Sequence, residues 1–517
     1  MRSASHYWRE LRARTVAEAR IGCGSGTQPL PAIALLRRDA AVATRLDALV
    51  KEVPVGAKEP LAAARRASLL DLRGAHEEAL AVLDSVDGKH APGPEAGAAI
   101  VLLRELIMRH VQFASERGKR RAKQSDTLSG GTCPSVIQEV EILDARCVSA
   151  SEVAERFVMP GLPCVLRGAS TVPRWTPEQL SNRLGARRVP LRRCVGSSVA
   201  WARLEFAGSE PFSSFVEQIK LPSQVEGAKD AFQNTQRAGL QLFDYSIWQQ
   251  CADTLGEEIE MPEWFGVDLY SHASSRVHPV TGSASPTLFL AAAGTSSGLH
   301  VDFLQTHFWM GLCSGRKRWR LVPRADLPLL YPQYLFDLNP SFPFDLDEAQ
   351  EELERPHSTF GALRFLSVYE VLLEPGDIIF VPSGWPHQVN NLDTSVAISA
   401  NFIDASNVRA SRREAELLGL VSEDPLLLAR VLKDAEVARL PERLAAEAAP
   451  AAAAGAAGKG EPLRAFKARH GEHRAPHETQ ALLMRGALVI ALGGTAICSA
   501  AWFLRPRPPS GQAALAR

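Results

Sequence analysis

Between residues 285 and 404 short apolar and aromatic runs alternate with Gly, Pro, Asn and Asp turns, and this punctuation leaves few folds open. The runs at 286–293, 306–313, 317–323, 367–372, 378–381 and 396–402 are strand candidates. Many short strands separated by turn residues indicate an all-β barrel or sandwich. PCVLRGAS at 163–170 is a further strand signal, closed by Gly168. Residues 176–184 read as a helix, because TPEQ has the N-cap pattern in which Thr and Gln serve each other's backbone.

The flanks differ in period. Residues 1–124 form a helical region, with Leu, Ala and Val at helical spacing over 61–72 and 77–86. A Gly/Pro-rich gap at 87–97 separates two helices, and the basic run from Arg117 to Lys123 reads as a solvated helix end. A Ser/Thr/Gly linker at 125–138 leads to the β-rich domain at 139–405. Residues 406–442 return to helical periodicity (Val408 to Leu440). They are expected to pack on the barrel or to pair with a second subunit as a homodimer. An Ala-rich linker, 443–480, follows.

At 486–504, GALVIALGGTAICSAAWFL carries no charge over nineteen residues and is flanked by Arg485, Arg505 and Arg507. At about 1.5 Å per residue it just spans a hydrocarbon core of about 30 Å. The expectation is a C-terminal transmembrane helix that tethers the protein to a membrane and leaves the rest cytosolic. Arginines on both sides give no orientation, so the organelle stays open.

Composition narrows the function classes. The 517 residues exceed one ordinary domain, and 46% hydrophobic content allows a large core without disulfides. Lys+Arg and Asp+Glu are both 58, so nothing global indicates a nucleic-acid partner. Cys23, Cys133, Cys147, Cys164, Cys194, Cys251, Cys313 and Cys498 form no C-x-x-C pair, which argues against a zinc ribbon or redox pair and for buried, reduced thiols. The first residues, MRSASHYWRELRAR, hold no apolar core of signal-peptide length.

The chemistry concentrates in GTSSGLHVDFLQTHFWMGLCSGRKRWRLVP, 294–323. His300 and Asp302 stand two apart, so on one strand they face the same way. His387, in GDIIFVPSGWPHQVNNLDTSVAISANF, offers a third ligand. Two imidazoles and a carboxylate that leave three positions open suit non-haem iron(II). A 2-oxo acid can chelate through two of those positions, and O₂ can take the third. Lys317 supplies the cation that a chelating diacid needs for its far carboxylate. Ser314-Gly315 reads as the tip of a tight hairpin. That hairpin would lay the strand of Lys317 beside that of Thr306, whose hydroxyl would share the carboxylate. His307 falls on the opposite strand face from Thr306 and reads as structural.

These motifs carry a family resemblance. From about Cys147 to Asp404, PCVLRG, WTPEQL, QLFD (241–244), SGLHVD, GRKRWRLVP, PGDIIFVPSGWPHQV and NLDTSVAISANF resemble the JmjC family. The similar branch is that of the small hydroxylases, which includes the bifunctional arginine demethylase and lysyl-hydroxylase. The resemblance implies a mainly β catalytic core, a cupin-type double-stranded β-helix, with iron(II) on His300, Asp302 and His387. It implies 2-oxoglutarate on Lys317, with help from Thr306, Ser297 and Asn401, and a protein substrate. Ser399 shares a strand face with Asn401. Ser297 stands where relatives often carry threonine, Gln241 where a tyrosine commonly faces the co-substrate, and Met310 where the closest branch has an amide.

The expected function is that of an iron(II)- and 2-oxoglutarate-dependent dioxygenase. It would hydroxylate a protein side chain, or demethylate it where the oxidised carbon is an N-methyl group. The competing reading is a catalytically degenerate cupin acting as a membrane-tethered scaffold. Gln241 and Met310 favour that reading; the full triad with Lys317 opposes it.

Overall fold

A computed structural model describes residues 40–53, 60–85, 94–125, 136–220 apart from 197 and 199, 239–265, 286–349 apart from 336 and 337, 360–418 and 461–462. The anchor expected at 486–504 lies outside the described residues, as does most of the Ala-rich linker. Among the described residues no helix is long and apolar enough to cross a membrane.

Helices α1 (Ala40–Glu52), α2 (Pro60–Arg73), α3 (His76–Asp84) and α4 (Pro94–Ser125) open the described chain. The strands that follow are β1 (Val136–Glu139), β2 (Glu141–Asp144), β3 (Cys164–Arg167), β4 (Arg188–Cys194), β5 (Leu204–Pro211), β6 (Leu240–Ser246) and β7 (Glu260–Met261). Next come β8 (Thr287–Ala291), β9 (Ser296–His300), β10 (His307–Ser314), β11 (Lys317–Leu321), β12 (Ser367–Leu373), β13 (Ile378–Val381), β14 (His387–Asn391) and β15 (Ser395–Phe402). Helix α5 (Pro177–Leu184) lies between β3 and β4, and α6 (Val408–Leu417) follows β15. Residues 461–462 pair with β7.

The strands from β8 to β15 build two sheets. One contains the order β8-β15-β10-β13 and the other β9-β14-β11-β12. The chain therefore crosses from sheet to sheet along its length, the winding of a double-stranded β-helix. The larger sheet continues outward through β6, β4 and β5 beyond β8, and through β3 and β2 beyond β13. Alternation along each strand fills two layers. Phe289, Phe308, Met310, Trp319, Leu321, Val371, Ile379, Val389 and Ala397 fill the inside. Leu288, Leu290, Trp309, Phe380, Ile398 and Phe402 pack outward under α5 and its neighbours. Helix α5 starts as expected: Thr176 Oγ1 accepts from Gln179 N, and Gln179 Oε1 from Thr176 N, with Pro177 in the first turn.

Three expectations change. Ser314-Gly315 is not a hairpin tip. β10 pairs with β13 and β15, whereas β11 pairs with β12 and β14, so the chain passes there from one sheet to the other. Gly315 makes the crossing possible, with φ 79° and a Cβ direction only 2.5 Å from the Thr394 carbonyl oxygen. β1 falls inside the stretch expected as a linker. It lies parallel to β12, while β2, one residue later, lies parallel to β3 in the other sheet. Cys147 is exposed, although Cys164, Cys251 and Cys313 are buried thiols.

The basic run is also not simply solvated. In α4, Arg117 donates to the Pro328 carbonyl (2.9 Å) and covers the Tyr331 ring, and Arg120 pairs with Asp326 (2.5 Å). Further up α4, His110 Nε2 accepts from the Tyr334 N–H (2.9 Å), so its Nδ1–H donates to Asp71 of α2 (2.7 Å). Leu69, Leu70, Leu102, Leu103 and Leu106 of the helices share one core with Leu304, Tyr334, Ile403, Val408 and Ala415. The buried face of α6 is thus occupied within its own chain: this helix packs on the barrel side of its own protomer. The remainder of 406–442 lies outside the described residues.

Gly315→Ala is expected to destabilise the domain by about 2 kcal/mol or more, since it adds both a backbone penalty and a collision. Urea unfolding of the two proteins measures this.

Candidate metal centre and co-substrate pocket

β9 and β14 place the two histidines opposite each other, His387 against His300. Their ring centroids are 4.2 Å apart. Asp302 is not on the strand as expected. β9 ends at His300, and Asp302 stands in extended conformation just before the turn Phe303–Gln305. Its Oδ1 lies 4.0 Å from His300 Nε2 and 3.9 Å from His387 Nε2. One ligand atom from each residue falls within 4.8 Å of the other two.

The tautomers are fixed from behind. His300 Nδ1–H donates to the Gly298 carbonyl (2.7 Å) and His387 Nδ1–H to the Trp385 carbonyl (2.9 Å). Each Nε2 therefore keeps its lone pair for a ligand role. Burial, then the neighbouring His387, holds the His300 pKa well below the usual value, so the ring is neutral. Burial pushes the Asp302 carboxyl upward. A divalent cation would reverse that, because it stabilises the ionised form. The donor set and its preset lone pairs fit iron(II).

Asn401 Nδ2 donates to Asp302 Oδ2 (3.1 Å) and to Thr306 Oγ1 (2.9 Å), and Thr306 Oγ1 donates to the Phe303 carbonyl (3.0 Å). Thr306 and Asn401 thus bond to each other beside the carboxylate ligand, and neither lies on a strand paired with that of Lys317. Ser297 pairs with Val389, whose side chain faces inward, and lies on the same wall as the histidines. Ser399 meets Thr287 Oγ1 at 3.0 Å.

Lys317 faces inward on β11, opposite Asn391. His387 pairs with Leu321, four residues along, or about 13 Å at roughly 3.3 Å per residue. The ammonium is buried and donates to Asn391 Oδ1, and no carboxylate among the described residues pairs with it. Burial pulls its pKa down to about 7. The indole N–H of Trp319, on the same inner face, is buried without a partner among the described residues. A diacid held at the triad by one end and at Lys317 by the other fits this wall.

Asp244 is a site residue that pattern reading missed. Leu242 and Tyr245 pair with Leu290 and Leu288, so Phe243 and Asp244 bulge together opposite Phe289. Asp244 has φ 56°. It is open to water, yet protein crowds its carboxylate and raises its pKa, with Thr287 and Arg192 opposing. It lies within electrostatic reach of Asp302. Trp201 (4.5 Å from the His300 ring), Phe243 and Phe289 form the adjoining aromatic wall. The only available signal was the bulge, which QLFD does not announce.

His307 is structural, as expected: its Nδ1 accepts from Ser383 N–H (3.0 Å), and its Nε2 meets Ser406 Oγ (2.8 Å). Asp71, His76 and His110 also stand at ligand spacing. There, however, His110 Nε2 is taken by Tyr334, which puts the hydrogen on Nδ1 and makes the cluster a hydrogen-bonded latch.

A family model described as a cupin-like domain matches residues 150–407. The chain belongs to the cupin-like, JmjC-type family. It is 25% identical over 295 residues to the mouse 2-oxoglutarate and iron-dependent oxygenase JMJD4, covering 54% of this chain and 64% of that one. It is 24% identical to the arginine-specific demethylase JMJ20 of Arabidopsis thaliana (53% and 59% covered). It is 23% identical to the bifunctional arginine demethylase and lysyl-hydroxylase psr-1 of Caenorhabditis briggsae (53% and 64%). The chain spans less than two thirds of the length of these relatives. The matched domain holds the triad and Lys317; helices α1 to α4 lie before it.

Lys317 makes a pH prediction. Above pH 7 its amine is increasingly neutral in the free protein, so binding of the diacid must take up a proton. Affinity for 2-oxoglutarate in the Mn(II)-loaded protein should fall by up to about tenfold per pH unit above that point and level off below it. Calorimetry in buffers of different ionisation heat reads the proton uptake. Lys317→Met should weaken binding roughly tenfold or more and abolish the pH dependence.

Proposed function

We propose that this protein is an iron(II)- and 2-oxoglutarate-dependent oxygenase acting on a protein side chain. The observation that carries the reading is a buried ammonium, Lys317, without a carboxylate, on the barrel wall that also bears His300, Asp302 and His387. Iron bound at the triad would supply O₂ activation coupled to decarboxylation of 2-oxoglutarate, which inserts oxygen into a C–H bond. The chain's own part is to hold both imidazoles by their Nδ1 atoms with Nε2 facing the ligand position, to orient Asp302 through Asn401, and to keep the diacid end dry beside Lys317 and Trp319.

The relatives' names supply the substrate class, a lysine or arginine side chain. Asp244 supports it, because a carboxylate on the bulge beside Phe243, within electrostatic reach of Asp302, suits a cationic group entering toward His300. Hydroxylation is the favoured outcome, with demethylation following where the oxidised carbon is an N-methyl group. The scaffold reading has one observation in its favour: the Gln241 amide is committed to the Ser296 carbonyl (2.9 Å) instead of facing a co-substrate. Formation of succinate decides between them. The protein with Fe(II) and 2-oxoglutarate should form succinate, and His300→Ala should lose at least about a hundredfold. Asp244→Asn should raise KM for a lysine peptide roughly tenfold while leaving the peptide-independent turnover alone. Equal turnover by His300→Ala would remove the enzymatic reading.

The membrane tether and the cytosolic placement of the catalytic domain belong to the same proposal and rest on the uncharged segment 486–504 with its flanking arginines. Full-length protein is expected in the membrane fraction and a chain ending at residue 480 in the supernatant. Full-length protein found wholly in the supernatant would discard the tether.

A further inference from the structure

The carboxylate ligand is carried by a turn that the barrel alone does not hold. After Asp302 the chain passes through Leu304 (φ 54°) and Gln305 (φ 51°), two consecutive left-handed residues that bear side chains. Such residues keep this backbone only where their surroundings impose it. Here the surroundings are the helical unit and α6. Leu304 is 0% exposed and belongs to the core built by α1 to α4, and Phe303 packs against that same core. The Gln305 side-chain amide donates to Glu414 Oε1 (2.9 Å), and the Gln305 backbone carbonyl accepts from Asn407 Nδ2 (3.0 Å). Glu414 also receives Arg109 of α4 (3.4 Å). The latch from Tyr334 through His110 to Asp71 fastens α4 to the same side of the barrel.

From this arrangement we propose that the N-terminal helical unit is a positioning element for the metal centre. Its docked core imposes the turn that delivers Asp302 to the two histidines and so sets metal affinity. Leu304, Glu414 and His110 are positioning residues; His110 touches none of the three ligands. The inference rests on the metal reading of the triad and goes beyond it, since the helices lie outside the cupin-like match. Loosening the helical unit, by a partner or by substitution, would lower metal occupancy with the histidine pair untouched.

The test uses the full chain with Co(II) as the probe. Leu304→Ala and His110→Ala should each weaken Co(II) binding at least tenfold by calorimetry. They should also speed amide exchange across residues 303–306 in the metal-free protein. Leu184→Ala, in the outer core under the larger sheet, should lower the melting temperature comparably and leave both readouts within twofold. If Leu304→Ala does not fold, Glu414→Ala removes the acceptor of Gln305 without touching the turn and is expected to act the same way. Parental affinity and exchange in these variants, or equal weakening by Leu184→Ala, overturns the proposal. A parent chain that binds no Co(II) removes the metal reading, and the exchange measurement alone then decides whether the helices hold the turn.

Discussion

An ammonium group inside a barrel, with one amide oxygen as its protein partner, is an expensive thing for a fold to keep. Lys317 occupies that position, and its surroundings are arranged around it: Trp319 and Leu321 on its own strand, Val389 and Asn391 on the next. Desolvation strips the charge unless an anion replaces the lost water. At the other end of the same wall the problem is mirrored. A carboxylate is buried beside two imidazole rings, and burial pushes it toward its uncharged form. Burial thus disfavours ionisation at both ends, in opposite senses. One dication and one dianion, bound together, restore both charges. The two guests are coupled electrostatically even though the protein groups that receive them stand about four strand residues apart.

The supporting shell fixes the metal end from behind. Backbone carbonyls, not side chains, set both tautomers, so substitution of neighbouring side chains leaves the lone pairs aimed. Behind β9, Arg203 pairs with Asp345 (3.2 Å) and Glu348 (3.0 Å), and Asp345 also accepts from Leu299 N (3.0 Å). Gly298 lets Arg203 lie against the strand, since a Cβ there would meet the arginine at 2.9 Å. The third ligand has a different kind of support, a turn with two left-handed residues packed into helices.

Much of the site could be read from the chain because ligand spacing and strand alternation are local. His300, His387 and Lys317 sit where the motif puts them, and β13 has the bounds that its apolar run suggested. What failed was non-local. Ser314-Gly315 has the composition of a hairpin, and only the distant Thr394 carbonyl reveals a crossing between sheets. Asp302 is two residues from His300, but the strand stops between them, because Leu304 is drawn into a core shared with helices that lie about two hundred positions earlier. Arg117 and Arg120 look like any charged helix end until residues 325–331 are folded beneath them. Asp244 comes within electrostatic reach of Asp302 through a bulge, which depends on the register of β6 against β8 and leaves no trace in composition.

The segment from β1 to β2 has a consequence of its own. With Val140 buried between them, these two short strands lie along the outer margins of both sheets, one on β12 and the other on β3. A single stretch of nine residues therefore seals two open hydrogen-bonding rims at once. Without it, β12 and β3 would present bare ladders to any neighbouring chain, the usual seed of runaway sheet growth. The catalytic barrel accordingly begins, for purposes of edge protection, at Val136 and not at the first residue of the family match.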